Sequence, residues 1–304
     1  LCFNRNLGQF LRTASEDFGK VLRAQTLHGL MVDVVGHRTV PGDAPQSYWT
    51  HELPNLASLK AIEAEDYAAS YDLLIVDEAQ DILREEYLEF LDILLKGGLK
   101  AGTWLMFGDF QKQAIYGGHS LESVKRTLDL TFPVYTLSTN CRNTPRVAAT
   151  AHLLGGLNPD YARVLRPDSG PESDPVYRFY DSHSKQQEIL VEALERLYGE
   201  GFRGSDVVIL SPFGASRAAA ASLSEEPWKQ RVRPLKAGDR GHVPFTTVHS
   251  FKGLEAAAVI VTDIESVLST SEHALLYVAV TRAQDRLVLL VSQKAKQDLI
   301  NAVY

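Results

Sequence analysis

The sequence predicts an α/β fold of parallel sheets covered by helices. Short apolar runs rich in β-branched residues recur along the chain, and segments with apolar residues at helical spacing lie between them. No repeat at a fixed short period competes with that alternation. With 304 residues, 45% of them hydrophobic and 23% charged, the chain is long enough for two domains that each bury a core.

Taken in order, Leu73–Val76, Thr103–Phe107, Val176–Tyr180, Val207–Leu210, Ala258–Thr262 and Leu287–Val291 read as strands of mostly buried sheets. Glu85–Lys96 has helical spacing and stops before Gly97-Gly98. Gln186–Tyr198 is a second helix, with Ser184 and Gln187 forming a capping box and Gly199 following its end. The stretch from Asn158 to Pro175, rich in Pro, Asp, Gly and Ser, reads as an exposed connection.

No apolar run approaches the roughly 18 residues of a membrane helix, so no membrane association is expected. The N-terminus does not resemble a signal peptide, because Leu1-Cys2-Phe3 leads straight into Asn4-Arg5-Asn6. Two cysteines, Cys2 and Cys141, make no disulfide framework, which points to a reducing, cytoplasmic compartment. Nine histidines without HxxxH or Cys/His pairing argue against zinc. The net charge is −7, yet charge is segregated. Acids crowd Glu63–Asp92, opposed by Arg84 alone, whereas Lys229, Arg231, Arg233, Lys236, Arg240 and Lys252 face only Asp239. Either run suits a solvated surface, and the basic one also suits a nucleic-acid groove.

The chemistry concentrates first in Asp72-Leu73-Leu74-Ile75-Val76-Asp77-Glu78-Ala79-Gln80-Asp81. An apolar strand delivers two acids at its C-terminal end, where open α/β sheets place their ligands. Asp77 suits Mg²⁺, because hard cations take carboxylate oxygens, and Glu78 suits activation of an attacking water. A second strand then runs into Gly108-Asp109-Phe110-Gln111-Lys112-Gln113-Ala114-Ile115-Tyr116.

With those two segments the chain resembles the UvrD/Rep-like helicases of superfamily 1, whose Walker B sequence resembles DEAQD and whose third motif resembles GDxxQxIY. The resemblance makes Gln113, with Gln111 as runner-up, a γ-phosphate sensor and places Tyr116 against single-stranded DNA, where ring stacking tolerates any base. The Trp-Arg usual after this tyrosine is replaced by Gly117-Gly118-His119. Leu137–Arg142 is similar to the fourth motif, LxxNYR, with Cys141 in place of the tyrosine; Arg142 is then a transition-state arginine. Phe245–Glu255 is similar to TxHxxKGLE, which implies that Thr247 and His249 touch the DNA backbone, that Gly253 admits the nucleotide and that Glu255 accepts from its ribose. Tyr277–Ala283 resembles YVAxTRA and implies a second arginine finger at Arg282. Two shorter matches, Cys2–Leu7 and Thr26-Leu27-His28-Gly29, imply DNA contacts at Asn4, Thr26 and His28, positions equally suited to core or turn roles.

The resemblance implies two RecA-like domains, 1–131 and 132–304, with ATP and Mg²⁺ between them, and a single strand or single-strand/duplex junction as the track. No GxxxxGKS/T loop occurs in the chain, and the family places that loop shortly before the segment matching Leu1–Leu7. The expectation is therefore a first domain lacking its P-loop strand, with exposed apolar strand surface and little ATP hydrolysis by this chain alone. A fused or partner domain upstream of residue 1 fits that expectation. Two functions follow: a 3′-to-5′ DNA translocase or helicase in the intact protein, or a non-hydrolysing nucleic-acid-binding or regulatory module.

Overall fold

The computed structural model describes residues 1–36, 40–41, 43–64, 66–109, 132–155, 161–170, 173–236, 238 and 241–303. The chain divides into two units, Leu1–Val134 and Tyr135–Tyr304.

The first unit is organised by helix caps and one small parallel sheet. Asn4 opens α1 (Arg5–Ala14) by accepting from the Asn6 and Leu7 amides, and Thr26 opens α2 (Leu27–Val35) by accepting from Gly29. Then come α3 (Leu53–Glu63), β1 (Leu73–Val76), α4 (Glu85–Leu94), α5 (Gly98–Ala101) and β2 (Thr103–Met106). β1 and β2 pair in parallel, Leu73 with Thr103 through Val76 with Met106. Leu1 and Cys2 extend the sheet on the other side of β1. The Leu1 nitrogen donates to the Ile75 carbonyl at 2.6 Å, the Asp77 amide to Leu1 at 2.8 Å, and the Leu27 amide to Cys2 at 2.9 Å.

Strand alternation decides which face is covered. Leu74 and Val76 enter a core with Leu27, Met31, Leu53, Tyr87 and Phe90. The other face is about half exposed: Leu73, Ile75, Leu105 and Phe107 remain 45%, 39%, 52% and 48% exposed, and Ile75 and Leu105 are register partners.

The second unit contains β3 (Thr139–Asn140), α6 (Pro145–Gly155), β4 (Arg163–Val164), β5 (Val176–Tyr180), α7 (His183–Gly199), β6 (Val207–Ser211), α8 (Trp228–Arg231) and β7 (Val232–Pro234). It continues with β8 (Val243–Thr247), α9 (Val248–Phe251), β9 (Ala256–Ile264), α10 (Thr270–Val280), β10 (Ala283–Ser292) and α11 (Lys296–Val303). Six strands form one all-parallel sheet in the order β5-β10-β9-β6-β8-β7. β6 is buried along its length. Val207 and Ile209 face the core shared with Leu190, Leu194 and Leu197 of α7. A central strand wet on neither side requires this continuous apolar run.

Some local readings change. α7 begins at His183 and is capped by Ser182, whose hydroxyl accepts from Lys185, so the expected Ser184/Gln187 box does not form. A true capping box sits at α10, between Ser269 and Glu272. α4 ends at Leu94, with Gly97 at φ 81°, a conformation that favours glycine. The connection expected between Asn158 and Pro175 includes β4, which pairs with β3. β7 and β8 escaped prediction because Pro234 and Pro244 interrupt their patterns; β7 can hold a proline as the outer strand.

Candidate nucleotide and nucleic-acid sites

β1 presents Asp77 and Glu78 at its C-terminal end through a sharp change of backbone. Glu78 has φ 53° and ψ 46°, a left-handed conformation that costs a non-glycine residue on the order of 1 kcal/mol. The Glu78 amide donates to Asp77 Oδ1 at 2.9 Å, while the Ala79 amide donates to the Phe107 carbonyl at 2.8 Å, so the turn is tied to the end of β2. Gln80, 1% exposed, donates to Glu78 Oε2 at 2.6 Å and accepts from the Asp109 amide at 3.1 Å. One buried amide thus aligns the acidic turn with the Gly108-Asp109 turn. Among the described residues no three His, Cys, Asp or Glu side chains form a metal cluster. Gln111, Gln113 and Tyr116 lie outside the described residues.

In the second unit three distant segments converge. Arg142 Nε donates to Glu255 Oε2 at 2.6 Å across 113 residues, and Gln284 Nε2 donates to Glu255 Oε1 at 2.6 Å. Asn140 organises the Arg142 turn by accepting from the Arg142 and Asn143 amides. Asn143 then donates to the Thr281 and Ala283 carbonyls, and the Thr144 amide to Gln284. Burial, which raises the Glu255 pKa, is outweighed by Arg142 and Gln284, and the carboxyl sits below its ordinary range. Gly253, at φ 83°, needs the freedom of glycine.

Arg282 departs from expectation. It is 1% exposed, with Nε on the Val278 carbonyl at 3.0 Å, Nη1 on Leu254 at 3.3 Å and Nη2 on Thr281 Oγ1 at 3.1 Å. In this arrangement it braces the segments around Glu255 instead of projecting as a finger.

Asn4, Thr26 and Thr247, assigned to DNA from the sequence, are all N-caps; Thr247 accepts from the Ser250 amide at 3.1 Å. His28 packs against Phe3, Trp49 and Tyr87, with Nε2 at 2.9 Å from the Tyr87 hydroxyl and 3.2 Å from the Trp49 carbonyl. Burial lowers its pKa to about 4. His249 is half-buried, and burial followed by the charge of Lys252 lowers its pKa. Ser211 pairs with Thr247, and Leu210 with both Thr246 and Val261. Thr247 therefore lies level with the end of β9, about 20 Å along that strand from Ala256 and Glu255. The two groups of residues lie at opposite ends of the strands.

Sequence reasoning missed Gln80, Gln284 and Asp263. Asp263 is 4% exposed at φ 60° and accepts from Ser211 Oγ and Thr262 Oγ1, each at 2.7 Å, from Gln186 Nε2 at 3.0 Å and from the Ala219 amide at 3.3 Å. The available signal was an acid closing an apolar strand, as Asp77 does after β1.

Comparison with known proteins locates a likeness in this second unit. No curated protein matches the chain. A solved structure, the C-terminal domain of a possible DNA helicase from Lactobacillus plantarum, aligns at 18% identity and a TM-score of 0.40, over 54% of this chain and 94% of that one. Residues 242–290, which carry Thr247, His249, Gly253, Glu255, Arg282 and Gln284, match the family model of the UvrD-like helicase C-terminal domain.

Proposed function

We propose that the natural protein is an ATP-dependent translocase or helicase on single-stranded DNA, moving 3′ to 5′, and that this chain supplies its acidic turn and its arginine-bearing segments. The observation that carries the reading is the convergence of Arg142, Glu255 and Gln284, from three separate parts of the sequence, on one carboxylate. Glu255 has its two oxygens directed at groups that a ribose hydroxyl can replace, and Arg142, partly exposed, is free to turn toward phosphate once Glu255 releases it. In the first unit Asp77 would hold Mg²⁺, which would offset phosphate charge. Glu78, kept in place by Gln80, would orient the attacking water and take its proton. Thr247 and His249 would meet the DNA backbone at the far edge of the second sheet.

The test is Glu78→Gln in the natural full-length protein, read as phosphate release with and without single-stranded DNA. Loss of DNA-stimulated turnover with ATP binding retained is expected; undiminished turnover overturns the role of Glu78.

Two observations favour a second reading for the 304-residue chain itself, as a nucleic-acid-binding module that does not turn over: no GxxxxGKS/T loop is present, and Arg282 is committed to internal bonds. That reading is distinguished by binding of an oligonucleotide without phosphate release.

A further inference from the structure

The outer edge of the six-stranded sheet concentrates positive charge in a way its fold does not require. β7 is the edge strand; Val232 points into the core while Arg231 and Arg233 on either side are exposed. Lys229 on α8 and Lys236 just beyond β7 are exposed as well. Arg231 closes α8 and Arg233 lies in β7, so the two flank the buried Val232 where helix passes into strand. Among the described residues none of these four cations has an ion-pair partner within 4.0 Å, although the chain is acidic overall. Of the acids nearest in sequence, Asp239 lies outside the described residues, and the carboxylate of Glu226 takes a bond from Gln230. Protecting an edge from strand addition needs a charge or a proline, and Pro234 already provides one. Four cations with no ion-pair partner among the described residues exceed that need.

The aromatic residues below the patch indicate which ligand it fits. Tyr198 has the Arg203 guanidinium 5.0 Å from its ring centre and that of Arg231 at 5.7 Å, and it meets Trp228 edge-on at 4.8 Å. Trp228 is 3% exposed. The rings therefore orient guanidinium groups and offer no open face to a base. Single-strand surfaces stack bases on exposed aromatics, whereas a duplex hides its bases and shows phosphate. We propose that Lys229, Arg231, Arg233 and Lys236 form a docking edge for the phosphate backbone of duplex nucleic acid, apart from Thr247 and His249. The proposal rests on the nucleic-acid reading above and adds the duplex arm of a junction to it.

The test uses the 304-residue chain and fluorescence anisotropy of a labelled duplex of about 20 base pairs and of a single strand of equal length, each across a salt series. Changing all four residues to Gln should flatten the slope of log affinity against log salt by about 3.6 for the duplex, at roughly 0.9 per lost phosphate contact, and leave the single strand within threefold. A charge-conserving set, K229R/R231K/R233K/K236R, should keep the wild-type slope; it also separates charge from folding if the Gln variant is unstable. An unchanged duplex slope in folded Gln variant overturns the proposal, as does equal loss on the single strand or a wild-type chain that does not bind duplex. A parallel T247A/H249A variant isolates the other reading. If it leaves single-strand binding intact while the Gln set weakens duplex binding, the motif assignment fails and the edge stands.

Discussion

Replacing Asp263 tests whether a buried carboxylate fastens the C-terminal ends of the central strands of the second sheet. Its neighbours come from β6, from β9 itself, from α7 and from the segment before Ser222, so one side chain joins four parts of the chain. In Asp263→Ala, the Ser211 hydroxyl can rotate and that of Thr262 can fall back on the Leu210 carbonyl at 3.4 Å. The Gln186 amide and the Ala219 N–H lose this acceptor outright. Two short bonds to a carboxylate, each about 1.5–3 kcal/mol, less what the hydroxyls recover, together with stranded donors at about 1 kcal/mol or more, give a cost near 4 kcal/mol. Alanine also keeps the strain of φ 60° without the local bonding that makes Asp tolerant of it. Asp263→Asn keeps the shape and the left-handed preference; its NH₂ can donate to the two hydroxyls, so its cost is about 1 kcal/mol. Hydrogen exchange read on peptides of β6 and β9 isolates this unit, and the Ala variant should lose about 1,000-fold protection there, the Asn variant about fivefold. If Ala and Asn cost the same, or Ala less than about 1 kcal/mol, the carboxylate is not the fastener.

Four further outcomes follow. Because burial holds His28 near pKa 4 against its ordinary 6.5, the folded state binds fewer protons between those values; stability is complete above pH 6.5 and falls by at most roughly 3 kcal/mol as pH drops toward 4, a slope that urea titrations should find missing in His28→Gln. Glu255→Gln should change the melting temperature little, since the pair with Arg142 is 36% and 43% exposed and such pairs contribute below about 1 kcal/mol; a drop beyond about 5 °C would show the pair to be structural. Gln80→Leu should cost roughly 2 kcal/mol by removing the Gln80 bonds to the Asp109 amide and to Glu78, detected as faster exchange at the Asp109 amide, with unaltered exchange counting against the tie. Thr in place of Ile75 and Leu105 should raise solubility on light scattering without lowering the melting temperature, because both side chains point away from the core; a large destabilisation would mean that face is covered.

What the sequence could express and what it could not follow from the range of each interaction. β1 and β5 matched to the residue because an apolar run between polar ends is a local signal. β7 and β8 were illegible because each carries a proline, and proline is tolerable only where the sheet order, a non-local property, places it. The same distinction divides the site residues. Asp77, Glu78, Arg142 and Glu255 were nameable because their chemistry stands in short strings. Gln80 and Gln284 were not, because an amide becomes informative only when its two ends are seen to reach Glu78 and the Asp109 amide, or Glu255. Arg282 shows the converse: the resemblance implied an arginine finger, and folding gave all three of its nitrogens to acceptors within the unit. A buried guanidinium held by carbonyls is costly to withdraw, on the order of several kcal/mol. If Arg282 is to meet a phosphate, the bonds to Val278, Leu254 and Thr281 must be exchanged for new ones. That exchange would loosen the segment bearing Glu255 at the same moment, since Leu254 is its neighbour. Release of Arg282 and repositioning of Glu255 are therefore one event, and a nucleotide that engages one should be felt at the other.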